Sequence, residues 1–94
     1  MTELEALRQE IDAIDARMVA LIGERFVCTD KVGHLKSTFR LPAVDAAREA
    51  RQMARFEALA HEHGVRPELV QRLFRIIVDE VVDNHKQLGA SAAD

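Results

Sequence analysis

The sequence predicts an all-α protein: three helices per chain, the first far longer than the others, paired with a second copy. Apolar residues recur at helical spacing, and no run alternates with the period of a strand. The only two prolines, Pro42 and Pro67, each stand just before a long helical pattern. The first of the three patterns outgrows a compact domain of 94 residues.

The first helix is expected from about Glu3 to about Ser37. Leu4, Ile11, Met18, Arg25 and Val32 recur every seven residues, as do Leu7, Ile14, Leu21, Cys28 and Leu35. Together they form a heptad seam. Gly23 and Gly33 weaken this helix by about 1 kcal/mol each relative to alanine, and neither lies on the seam. A second helix is expected from near Val44 to near His63, stopped by Gly64. The third begins with Pro67 in its first turn and Glu68 beside it, and runs to about Leu88. Its stripe is Val70, Leu73, Phe74, Ile77, Val81, His85 and Leu88. The polar stretch at 88–94 reads as a frayed tail, so residues 1–94 form a single domain.

A first helix of this length spans about 52 Å, whereas a compact chain of this size measures roughly 32 Å across. Two shorter helices cannot cover such a seam, and soluble monomers avoid large exposed apolar patches. Pairing of two long helices in a homodimer resolves the mismatch, the alternative being a monomer with a broken first helix.

Hydrophobic residues make up 48% of the chain and charged residues 31%, a globular composition. Aromatics are only 4%, and the net charge is −3, so neither a stacking surface nor the basic face of a nucleic-acid binder is expected. No apolar run is long enough for a membrane span, and no signal-peptide pattern is present. Cys28 is the only cysteine. It fits a reducing cytoplasm, and a buried packing role is expected for it.

Charge placement departs from this ordinary picture. In "LPAVDAARE", residues 41–49, a helical reading puts Arg48 about −60° and Glu49 about +40° from Asp45. Met53, Phe56 and Leu59 fall between about −40° and +80°, so the charges continue the apolar stripe instead of opposing it. Arg25 occupies a seam position, and Arg8 and Lys36 each lie one position beyond one. Along one helix, Arg8 is about 26 Å from Arg25, and Lys36 about 17 Å. Lys36 can share a site with Arg25 by reaching back, but Arg8 can join only from an antiparallel partner helix. A cation on a buried seam calls for an anion. Either Arg25 pairs with Asp45 or Glu49, or the surplus of Arg8, Arg25, Lys36 and Arg48 over two acids serves an anionic ligand. His85, on the third helix's stripe, is either a satisfied core residue or a functional one. His61 and His63 point to different sides of a helix, which argues against a metal site, and His34 is expected to face solvent.

The ordered set "ALR" at 6–8, "ER" at 24–25, "VGHLK" at 32–36, "P" at 42, "DAARE" at 45–49 and "RLF" at 72–74 resembles the all-helical chorismate mutases. The resemblance implies an intertwined homodimer with shared active sites, a small dicarboxylate substrate (chorismate), and no cofactor or metal. Arg8 resembles the arginine donated across the dimer, and Arg25 the in-chain arginine that meets a substrate carboxylate. Lys36 resembles the lysine contacting a carboxylate and the ether oxygen. Asp45 and Glu49 match the acids near the ring hydroxyl, with Arg48 between them. Val81 departs from the pattern, standing where a hydroxyl residue often holds the ring carboxylate. His85 stands where a glutamine donates to the ether oxygen.

The expected activity is the rearrangement of chorismate to prephenate in aromatic amino-acid biosynthesis. Lys36, His85 and Arg25 are the expected catalytic groups. The chemistry needs orientation and stabilisation of charge on the ether oxygen, not a nucleophile. His85 is expected to donate to that oxygen, more strongly when protonated, giving higher kcat at mildly acidic pH. An isochorismate–pyruvate lyase on the same fold is the nearest alternative, and the acids near position 49 favour the mutase. A non-enzymatic helical dimerisation module, with inward charges fixing register only, is the other.

Overall fold

The computed structural model describes residues 2–89, and the part of the expected frayed tail at 90–94 lies outside them. Three helices follow one another: α1 (Glu3–Thr38), α2 (Ala46–Glu62) and α3 (Pro67–Gln87). Thr2 opens α1 with a capping box. Its hydroxyl accepts from the Glu5 N–H at 3.1 Å, and the Glu5 carboxylate accepts from the Thr2 N–H at 3.5 Å. Acidic Glu3 and Glu5 in the first turn and Lys36 in the last complement the helix dipole.

Both α1 and α2 end in a reversal that ties back the last carbonyls. After α2, Gly64 takes φ 69°, and the N–H of Val65 donates to the Ala60 carbonyl at 2.9 Å. This is the glycine stop read from the sequence. After α1 the same hydrogen-bond pattern forms around Arg40 at φ 55°, with the Leu41 N–H donating to the Lys36 carbonyl at 2.7 Å. A non-glycine residue in that conformation costs about 1–2 kcal/mol. The reversal turns the chain back so that Ala43, 2% exposed, comes to rest beside the end of α1.

Helix α3 is the hub: α1 and α2 each pack on it and not on one another. Phe56 of α2 and Phe74 of α3 stack with centroids 3.9 Å apart and planes 17° from parallel. With Ala43, Ala60 and Val78, Phe56 makes up a small buried core, joined by one buried polar side chain, His85. Helix α1 meets α3 at Gly33, which is buried against His85 and Leu88.

Among the described residues, none of the chain covers the N-terminal part of α1. Every residue from 2 to 24 is exposed, and Leu4, Leu7, Ile11, Ile14, Met18 and Leu21 are 45–63% accessible. The molecule extends 56 × 24 × 15 Å, with a radius of gyration of 16.7 Å, against about 12 Å for a compact chain of this length. Cys28 corrects an expectation. It is exposed, because α3 covers the Thr29–Gly33 face and Cys28 sits about 60° round the helix from Arg25. Among the described residues, no helix is long and apolar enough to cross a membrane.

Candidate active site

A single pocket collects most of the charges that were conspicuous in the sequence. Arg25, Thr29, Val32 and Lys36 line it from α1, at spacings of four, three and four that keep them on one helix face. Asp45, Arg48, Glu49 and Gln52 line it from the start of α2, and Val78, Val81, Val82 and His85 from α3. Arg8 does not line it. It stands on the uncovered part of α1, about 26 Å along the axis from Arg25.

The charges reach the pocket by a route different from the expected one. Asp45 is the N-cap of α2, not a residue within it, with φ −123° and ψ 94°. Its carboxylate accepts from the Arg48 N–H at 3.0 Å. An aspartate there meets an otherwise unpaired N–H and the positive end of the helix dipole. Arg48 and Glu49 then occupy the first turn, where the helix start directs them toward α1 and α3.

Arg25 does not pair with Asp45 or Glu49. Among the described residues no ion pair joins them, and Arg25 Nη1 is buried without a hydrogen-bond partner. The guanidinium lies over the Phe74 ring, 5.6 Å from its centroid. The Phe56–Phe74 stack therefore forms a floor beneath it. Burial first, and the charge of Arg48 second, lower its pKa from the ordinary arginine value. Both causes disfavour the charged form; an anion in the pocket would offset the repulsion from Arg48 and find an unused donor at Nη1.

Lys36 is held from two sides. Its ammonium donates to the Ala43 carbonyl at 2.9 Å and lies 3.2 Å from His85 Nδ1. An ammonium has three donors and no acceptor, so Nδ1 is the acceptor of this pair. The other ring nitrogen, Nε2, donates to the Thr29 carbonyl at 2.7 Å. That pattern belongs to the Nε2–H tautomer. His85 is 2% exposed, and its single ring proton faces α1. The free donor toward substrate expected of it is not available in this geometry.

Sequence reasoning overlooked Gln52, Val32 and the Thr29 carbonyl. Gln52 lies three residues after Glu49, and Val32 four before Lys36. One helical turn from each of those charges reaches both. Gly33 was read only as a weak helix former, whereas it is where α3 meets α1.

Cations from two helices face the valines of a third on an all-helical frame, an arrangement suited to a small anion. Comparison with known proteins narrows this class. The sequence pattern of the family described as chorismate mutase type II matches residues 7–86. The chain is 32% identical over 89 residues to the T-protein of Enterobacter agglomerans, covering 95% of this chain and 24% of that protein. It is 33% identical over 79 residues to the bifunctional chorismate mutase/prephenate dehydratase of Escherichia coli strain K12, 84% of this chain and 20% of the relative. A chorismate mutase of Methanocaldococcus jannaschii is 30% identical over 77 residues, 82% of this chain and 78% of that protein. The chain thus spans a quarter or less of the first two relatives and most of the third. It belongs to the type II chorismate mutase family.

Proposed function

We propose that the protein catalyses the rearrangement of chorismate to prephenate, as part of aromatic amino-acid biosynthesis. The observation that carries this reading is the pairing of Arg25, with its buried unpartnered Nη1, and Lys36, held on two fixed acceptors, in one pocket. The reaction is unimolecular and needs no cofactor. The site has to hold a flexible dicarboxylate in its compact reactive shape. It also has to stabilise the negative charge that grows on the ether oxygen as the C–O bond breaks.

In this reading Arg25 receives a substrate carboxylate and Lys36 directs its remaining N–H to the ether oxygen. Glu49, with Asp45 beside it, accepts from the ring hydroxyl, and Arg48 closes the rim. Val78, Val81 and Val82 contact the ring. Valine at 81 offers no side-chain hydrogen bond, so carboxylate recognition rests on the arginines.

We further propose that the working unit is an intertwined homodimer, each site completed by Arg8 of the other chain, and that it acts in the cytoplasm. The uncovered apolar face of residues 4–21 supports the first statement, and a lone exposed thiol at Cys28 suits a reducing compartment. At micromolar concentration, sedimentation is expected to give about twice the chain mass of 10.6 kDa. A fully active species of single-chain mass would overturn the shared site.

Incubating the pure protein separately with chorismate and isochorismate tests the activity. Prephenate from the first is the expected product. Pyruvate release from isochorismate alone would identify a lyase instead, and turnover of neither would leave a dimerisation module.

A further inference from the structure

We propose that His85 is a positioning residue for Lys36, acting as its fixed hydrogen-bond acceptor, and that the missing side chain at Gly33 creates the seat that makes this possible. The inference rests on the reading of Lys36 as the electrostatic group of the mutase site.

The seat is built from backbone. Within α1 the Thr29 carbonyl already faces the N–H of residue 33, as helix geometry requires. A second donor can approach that oxygen only where the side chain at 33 is absent. Gly33 supplies the gap: a Cβ there would lie 2.6 Å from His85 Cδ2, 3.2 Å from His85 Nε2 and 2.9 Å from Leu88 Cδ1. His85 fills the gap and donates from Nε2 to Thr29. The consequence falls on the opposite nitrogen. With the proton fixed on Nε2, Nδ1 presents a lone pair, and the Lys36 ammonium sits 3.2 Å away.

Ala43 holds a second Lys36 donor at 2.9 Å, which leaves the third for a ligand. An ammonium on a flexible four-carbon stem has no preferred direction of its own. Two fixed acceptors give it one, which is the preorganisation that transition-state stabilisation requires. His85 thus serves the reaction without touching the reacting atoms.

Protonation of His85 would undo the arrangement, because Nδ1 would then present an N–H to an ammonium. Other charges share this pocket: Arg25 from α1, and Asp45, Arg48 and Glu49 from the side of α2. Asp30 and His34 of α1 line a separate shallow groove with Asn84, Gln87 and Leu88. Since these carboxylates and a second histidine lie on the same helices, a pH effect counts only if it disappears with the His85 side chain.

The test combines spectroscopy of the intact wild-type protein with kinetics of variants. Nitrogen-15 spectra of the histidine rings are expected to show His85 with its proton on Nε2 and Nδ1 bare. A proton on Nδ1, or rapid exchange between tautomers, overturns the proposal whether or not the protein has mutase activity. His85→Ala is expected to lower kcat about 10-fold with little change in KM. Gly33→Ala should do the same by displacing the ring. His85→Gln should retain most of kcat, since an amide can donate to Thr29 and accept from Lys36. Wild-type kcat should fall on acidification by a step that the glutamine variant lacks. In a Lys36→Ala background, removal of His85 should cause no further loss, because it acts through Lys36. An additional loss there, or a wild-type kcat that rises on acidification, would make His85 a direct donor to substrate and sink the proposal. If neither chorismate nor isochorismate is turned over, the reading of the site fails, while the spectra still decide the His85–Lys36 contact.

Discussion

Lys36→Ala is expected to lower kcat by about 100-fold or more, the scale for removing a preorganised donor from developing oxyanion charge. The size follows from how the ammonium is held. Donors fixed to Ala43 and His85 leave the third N–H with little freedom to lose when charge appears on the ether oxygen. In the proposed role that interaction would strengthen as the C–O bond breaks, so the loss belongs in kcat and not only in KM. Lys36→Arg is expected to fare little better. A planar guanidinium cannot place donors on both acceptors while aiming another into the pocket. An effect confined to KM would make Lys36 a uniform binding group and remove the electrostatic argument.

The second large effect concerns two arginines on one helix that the proposed dimer assigns to different sites. Arg8→Ala and Arg25→Ala are each expected to lower kcat/KM by about 100-fold or more, because each strands a substrate carboxylate in a poorly solvated pocket. Arg25→Ala also uncovers the Phe74 ring, so its thermal midpoint should be followed alongside activity. Mixing the two inactive variants under conditions of chain exchange should restore activity. In the hybrid, one of the two sites has both arginines. Absence of recovery despite demonstrated exchange would confine Arg8 to a role outside the site.

Much of this architecture could be read in advance where a residue's own chemistry dictates local geometry. Pro67 opens α3 and Gly64 closes α2 because fixed φ and tolerance of positive φ belong to the residues themselves. The end of α1 uses the same reversal with Arg40, a residue carrying no such signature, so the end expected near Ser37 is legible in position but not in mechanism. The charged face of "DAARE" was noticed by treating Asp45 as helical. It is in fact the cap, and the sequence alone does not separate a cap from a first turn when both favour acids.

The site was legible as a list of charges, not as a set of partners. Period and spacing place Arg25 and Lys36 on one face, but not which acceptors hold Lys36. One of those, His85, lies 49 residues further along the chain. Gly33 illustrates the limit. In isolation it is a helix-weakening glycine, and its role depends on a ring delivered by another helix. Cys28 illustrates the converse: a seam position establishes that a face is apolar, not that its own chain covers it.

The bare stretch of α1 also bears on how the protein acquires its structure. A helical segment with no packing partner is marginal in water, and residues 2–24 have none among the described residues of their own chain. For the proposed dimer, folding of α1 and association would then be one event, so stability would become a property of the solution as well as of the sequence. Mass action would raise the melting temperature with protein concentration and lower it on dilution. In a cell, newly made chains would stay vulnerable to proteases until they met a second copy, which would tie the steady-state level of the protein to its own rate of synthesis.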